Sequence, residues 1–334
     1  MNKYRLLQLT RELINIPSVT GQEGEIGRFL CRYLSNNGFS IREQEVSPGR
    51  FNIFASKSDR VDLLFSAHLD TVAPYIPLSE DETTLYGRGA CDVKGGLAAM
   101  VEAVISHGET EGQSAGLLFV VGEEYDSDGA KAANQWGMVQ PRAIVISEPT
   151  ENRLAVGQKG ALLFRLKARG KSAHSAYPEL GESAIEPLIE SLRQLTQIDF
   201  PQDDYFGETT LNIGVIRGGT KVNVIPDYAE AEIIMRLAIP YSQVLEKTMT
   251  CLHPQVELET ISRCDPIRLT SVPKFESIVV AFGSDAPYLT NFGERLLIGP
   301  GSIHDAHTDH EKINKVDLKR AVEMYRNLIK IYMT

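Results

Sequence analysis

Two adjacent glutamates, Glu123 and Glu124, follow directly on the apolar run GLLFVVG. Like charges side by side at the mouth of a buried strand repel each other and resist desolvation. They therefore either lie in a solvated loop or face something positive. The rest of the chain favours the second reading. The run VDLLFSAHLD ends in His68 and Asp70, RAIVISEPT ends in Glu148, and RLLIGPGSIHDAH runs into a loop with His304 and His307. Between the first two lies GRGACDVKGGLAAMVEAVISH, where Asp92 is expected at the start of a helix. That helix would share one apolar face made of Leu97, Met100, Val101, Val104 and Ile105. Asp70 is either a turn residue or the carboxylate that fixes the His68 tautomer. Of the three histidines in HDAHTDH, one is expected as a ligand and His310 as a solvated residue.

Imidazole nitrogens and carboxylate oxygens in one place suit zinc or a zinc-like transition ion better than calcium or magnesium. Five carboxylates cannot all stay ionised in a shared pocket without cations. An aspartate can bridge two metals, and two metals roughly 3.5–4 Å apart form a hydrolytic arrangement. One glutamate of the 123/124 pair could then bind metal while its neighbour acts on water.

These residues need elements that bring them together. Apolar runs alternating with helical periodicity imply an α/β fold with a doubly wound, mostly parallel sheet. Ligands of such sheets collect beyond the carboxyl ends of the strands, which is where the candidate residues fall. From residue 160 the pattern changes. LFRLKARG alternates like a half-buried strand, and SAIEPLIESLRQLTQI puts Ile185, Leu188, Ile189, Leu192 and Leu195 on one helical face. Strands follow at TTLNIGVIRGG and YAEAEIIMRLA, then a helix at YSQVLEKTMTCLH and a strand at QVELETIS. The order β-α-β-β-α-β is that of an α+β ferredoxin-like unit. Its edge strands make it a candidate lid and dimerisation surface. The expected organisation is a discontinuous metal-binding catalytic domain, 1–158 and 265–334, with the lid/dimerisation domain inserted at 159–264. His174 lies in the loop after the first inserted strand.

The bulk numbers exclude several classes. With 334 residues, 43% hydrophobic and 23% charged, the chain is of ordinary globular composition. A net charge of -10 argues against nucleic acid or an anionic membrane surface as partner. No apolar stretch reaches the length of a membrane span. The N-terminus reads as an amphipathic helix ending before Pro17, with no secretion signal. Cys31, Cys91, Cys251 and Cys264 form no CxxC pair, so a cytoplasmic protein with reduced thiols is expected.

The segments SAHLDTV, GRGACDVKGG, VVGEEYDSDGA, SEPT, GKSAHSAYP, GGTKVNVIPD and GPGSIHDAHTDHE together resemble the zinc aminoacylase/carboxypeptidase family. The resemblance runs in order over nearly the whole chain. Within that family the chain resembles the acetylornithine deacetylase/succinyl-diaminopimelate desuccinylase group, and its C-terminal motif is most similar to that of the acetylornithine deacetylases. The resemblance implies two Zn2+, with Co2+ or Mn2+ as substitutes. His68 and Glu148 would hold one metal, Asp92 would bridge both, and Glu124 and His307 would hold the second. It further implies Glu123 as general base and His174, from the partner subunit of a homodimer, as oxyanion donor. Asn223 and Arg236 would touch substrate, with Arg236 clamping an α-carboxylate. The expected activity is hydrolysis of a small N-acyl amino acid, of acetylornithine type. A dipeptidase, carboxypeptidase or desuccinylase on the same scaffold is the alternative. A catalytically silent binding protein would have lost Glu123 or a ligand, and every expected position is filled.

Overall fold

The computed structural model describes residues 2–107 and 114–333. The chain divides into two compact units. One comprises Met1–Val156, Leu269–Ile278 and Ser284–Thr334, and the other Gly157–Arg268 and Val279–Gly283.

The first unit is built on a mixed sheet. Its strands lie in the spatial order Ser40–Ser47, Arg50–Ser56, Ala115–Val120, Leu63–His68, Ala143–Ile146 and Glu294–Leu297. The last four of these run parallel, and they are the four runs whose ends carry the candidate residues. The parallel register pairs His68 with Val120 and Ser66 with Ile146, so the carboxyl ends of these strands finish level. The two outer strands add an antiparallel hairpin that the apolar runs did not indicate.

Helices cover the sheet. Lys3–Asn15 is capped by Asn2, whose side chain accepts from the Tyr4 and Arg5 amides. It ends where Pro17 forces Ile16 into an extended conformation. The Gly95–His107 helix differs from the expectation of a single apolar face. All of Gly95–Val104 is buried, because the N-terminal helix and the Lys315–Tyr332 helix both pack on it. A helix enclosed on all sides gains nothing from a polar face. It also passes so close to the strand leading to Glu148 that a Cβ on Gly96 would collide with Ser147 Oγ. The C-terminal helix buries Leu318, Ala321, Val322, Tyr325, Leu328 and Ile329, each large aliphatic side chain contributing roughly 1.5–3 kcal/mol. Tyr325 packs edge-on to Phe65 with ring centroids 5.5 Å apart, and its hydroxyl donates to the Ile298 carbonyl at 3.0 Å.

The second unit carries a four-stranded antiparallel sheet in the order Thr210–Gly218, Tyr228–Leu237, Gly160–Arg169 and Val256–Cys264. With helices Ile185–Leu195 and Tyr241–Thr250, this is the β-α-β-β-α-β arrangement. Leu188, Leu192 and Leu195 pack into its core as expected, but Ile189 is 58% exposed. Ser191 is buried in its place and donates to the Pro187 carbonyl, so the buried stripe is narrower than the apolar pattern suggests. The unit also takes in residues 279–283, beyond the expected boundary at 264. The reason is local: the Lys159 amide donates to the Val280 carbonyl at 2.9 Å.

Candidate metal centre

At the level ends of the parallel strands the first unit gathers His68, Asp70, Asp92, Glu123, Glu124, Glu148 and His307. Asp92 lies between the two imidazoles: its Oδ1 is 3.1 Å from His68 Nε2, and its Oδ2 is 3.3 Å from His307 Nε2. His307 Nε2 also meets both Glu124 oxygens, at 3.1 and 3.0 Å. Donor atoms of His68, Asp92 and Glu124 all lie within 4.8 Å of one another. Glu148 is buried and lies within electrostatic reach of His68, Asp92 and Glu123. Of the three histidines it is His307 whose ring reaches the cluster, with Nε2 against Asp92 and Glu124.

The contacts test whether a cation fits. His68 Nδ1 lies 2.9 Å from the Asp70 backbone carbonyl, a pure acceptor, so Nδ1 carries the proton and donates the hydrogen bond. The lone pair on Nε2 then faces an Asp92 oxygen, two acceptors with nothing positive between them. His307 Nε2 likewise meets carboxylate oxygens only. Burial pushes Glu123 and Glu148 well above the ordinary carboxylate range, and neighbouring negative charge pushes them further. Burial also raises Glu124. A protonated imidazole answers part of this, and hydrogen bonds to Asp92 and Glu124 push His307 up to about 10. Divalent cations answer it fully, and the nitrogen–oxygen donor set is one that zinc-like ions accept.

Two positions differ from expectation. Asp92 does not begin a helix. It sits in an irregular turn at φ −119°, ψ 85°, and the helix starts at Gly95, which leaves the carboxylate free to turn toward the histidines. The Asp70 carboxylate is not the nearest partner of His68, its Oδ1 being 3.7 Å from Nδ1. Its oxygens instead accept the Glu123 and Glu124 amides, each at 3.1 Å, and the Thr20 hydroxyl at 2.9 Å. Asp70 therefore holds the glutamate loop with its side chain and orients His68 with its backbone.

Sequence reasoning missed the residues that hold the loops. Arg50 grips Glu23 with Nε and Nη2, both at 2.9 Å, and Asp128 with Nη1 and Nη2, at 2.6 and 3.1 Å. This anchors the far end of the loop that carries Glu123 and Glu124. Glu311 and Arg88 form a buried ion pair at 2.8 Å beside Asp92. Asp285 is buried with one oxygen lacking a partner, and burial pushes its carboxyl up to about 7. Of these only Asp285 follows an apolar run, IVVAFGS, the signal by which the sequence marks its other candidates; Arg50, Arg88 and Glu311 carry no such mark.

In the second unit His174 is exposed, and its Nδ1 accepts the Ala176 amide at 3.1 Å, which puts the ring proton on Nε2. Asn223 lies beside it: the Ser175 amide donates to the Asn223 carbonyl, and His174 bridges to Val224. Arg236 stands on the Tyr228–Leu237 strand, opposite Thr210 and Ala161.

A strand-end cluster of histidines and carboxylates on a mixed α/β sheet, with an α+β unit inserted in the chain, is an arrangement that suits metal-dependent hydrolysis. Comparison with known proteins narrows this. Residues 156–251 match the peptidase dimerisation domain of the M20 family. A protein named as a probable carboxypeptidase of Emericella nidulans is 35% identical, covering 97% of this chain and 88% of its own. Among solved structures, a tripeptidase from Staphylococcus aureus superposes with a TM-score of 0.83 at 24% identity, covering 100% of this chain and 99% of its own. A dinuclear metal-binding peptidase of the M20 family from Bacillus subtilis superposes at 0.72 and 17% identity, covering 99% of this chain and 98% of its own. The chain belongs to the M20 peptidase family.

Proposed function

We propose that the protein is a two-metal exopeptidase that removes a terminal residue from short peptides, in the manner of a carboxypeptidase or dipeptidase. The observation that carries the metal reading is Asp92, with one oxygen toward each imidazole. His68 and Glu148 would hold one ion, Glu124 and His307 the other, and Asp92 both. Zinc suits this donor set, with cobalt or manganese as substitutes. Bound cations supply Lewis acidity, which polarises a scissile carbonyl and acidifies water. The Glu123 carboxylate then takes a proton from the attacking water and returns it to the leaving amine nitrogen. Asp70 keeps Glu123 and Glu124 in place through their amides.

His174 is assigned to the oxyanion of a partner subunit's substrate, with Nε2–H as donor. A homodimer is supported by the match to a peptidase dimerisation domain. It is supported too by the edge strand Thr210–Gly218, where Ile216 is 61% exposed. Arg236 and Asn223 are assigned to substrate, Arg236 as a fork for a free α-carboxylate.

Deacylation of an N-acyl amino acid such as acetylornithine uses the same bond-breaking chemistry and is the second reading. The peptidase name of the 35% identical relative favours peptides. A panel of dipeptides, tripeptides and N-acetyl amino acids decides between them, each offered as free acid and C-terminal amide. Peptide acids should be hydrolysed best. Faster turnover of N-acetylornithine would reverse the order, and equal kcat/KM for acids and amides would remove the carboxylate clamp.

A further inference from the structure

The ion pair of Arg88 and Glu311 is unusual in where its bonds go. Arg88 is 2% exposed and Glu311 1% exposed, so neither charge is shared with solvent. Burying two such charges is costly unless nearly every oxygen and N–H finds a partner. Here they do. Glu311 Oε2 accepts from Arg88 Nη1 at 2.8 Å, while Oε1 accepts the backbone amides of Cys91 at 3.2 Å and Asp92 at 3.1 Å. Arg88 Nη1 also reaches the Thr308 carbonyl at 3.2 Å, and its Nε reaches the Pro74 carbonyl at 3.1 Å. One pair thus touches the amide of Asp92, the residue following His307, and the loop following Asp70. A pair kept only for stability would be matched by well-packed apolar side chains. These bonds are instead directed at the backbone of three loops that meet at the cluster.

We propose that Glu311, braced by Arg88, is the positioning residue of this centre: it fixes the Asp92 backbone so that the carboxylate stands between the two imidazoles, and thereby sets metal affinity. This rests on the reading of Asp92 and His307 as metal ligands. Partners behind a metal ligand typically govern affinity or activity by roughly 10–100-fold. Glutamine at 311 keeps the size but leaves Arg88 without its counter-charge and offers an amide N–H where an acceptor is needed.

The test is cobalt binding to metal-free protein, followed by calorimetric titration, for Glu311→Gln, Arg88→Lys and Asp92→Asn, with melting temperature, kcat and KM on a dipeptide alongside. Glu311→Gln should weaken cobalt binding by about 10–100-fold and lower kcat at limiting metal, with KM within about threefold. Arg88→Lys keeps the charge but not the fork, so it should give a smaller loss of the same kind, and it carries the test if Glu311→Gln does not fold. A variant that melts earlier yet binds cobalt with unaltered affinity would overturn the proposal. So would unaltered affinity together with unaltered kcat. If Asp92→Asn itself binds cobalt as tightly as the unaltered protein, the ligand reading fails and the proposal with it. If Asp92→Asn loses metal while Glu311→Gln does not, only the positioning role fails.

Discussion

Replacing Gly122 by alanine should separate backbone strain from disruption of the glutamate loop. Gly122 precedes the glutamate pair at φ +76°, and its carbonyl accepts the Ser127 and Asp126 amides at 2.8 and 3.2 Å. A Cβ there would overlap Asp128 Oδ1 and stand 2.7 Å from Arg50 Nη2. Asp128 cannot simply swing aside, because Arg50 holds both its oxygens. Gly137, at φ +68° after the Asp128–Trp136 helix, is a control in which a Cβ would meet nothing within 4 Å. Left-handed backbone alone costs about 1–2 kcal/mol for alanine, which is the expectation for Gly137→Ala. Forcing extra volume into a packed site adds roughly 1–3 kcal/mol, so Gly122→Ala should lose about 2–5 kcal/mol. A shift of about 1 Å in a catalytic group can lower the rate about 10²-fold. Gly122→Ala should therefore lower kcat by about 10–100-fold, and Gly137→Ala should leave it unchanged. Urea unfolding of both zinc-loaded variants and steady-state kinetics on one dipeptide measure the difference. Equal unfolding midpoints for the two, or a normal kcat in Gly122→Ala, would refute the reasoning.

The glutamate pair should fail in two ways. Glu123→Gln should keep metal and lose about 10²–10⁴-fold in kcat, whereas Glu124→Gln should lose metal; full metal and near-normal rate in both would sink the roles. Chelation should lower the melting temperature and added zinc should restore it. Saturation 100-fold above Kd is worth about 2.7 kcal/mol, and a melting temperature indifferent to chelator would count against bound cations. Mixing inactive His174→Ala with inactive Glu123→Gln subunits should recover part of the activity, since some hybrid dimers contain one site with both residues intact. Demonstrated hybrids without activity would exclude a shared site.

The four parallel strands and their ends were legible because burial writes itself locally, whereas the outer hairpin was not. A buried parallel strand must be apolar, so runs such as LLFSAH and AIVI announced themselves, and chemistry-bearing residues just after them were conspicuous. The alternating strands of the second unit were legible for the same reason, one face being buried and the other not. The path of the chain beyond a strand end is not decided locally. Asp92 turns toward His68 and His307 because a carboxylate far along the chain, Glu311, holds its amide. Asp70 carries the glutamate loop rather than the imidazole because the Glu123 and Glu124 amides come closer to it than His68 Nδ1 does. Arg50 and Arg88 sit after no apolar run, and their partners are brought to them only by folding. Residue type and strand periodicity therefore determined which side chains could bind metal and near which sheet edge they lie. The direction of each side chain, and the partners that hold it there, depended on hydrogen bonds between distant segments, which exist only once the loops have packed.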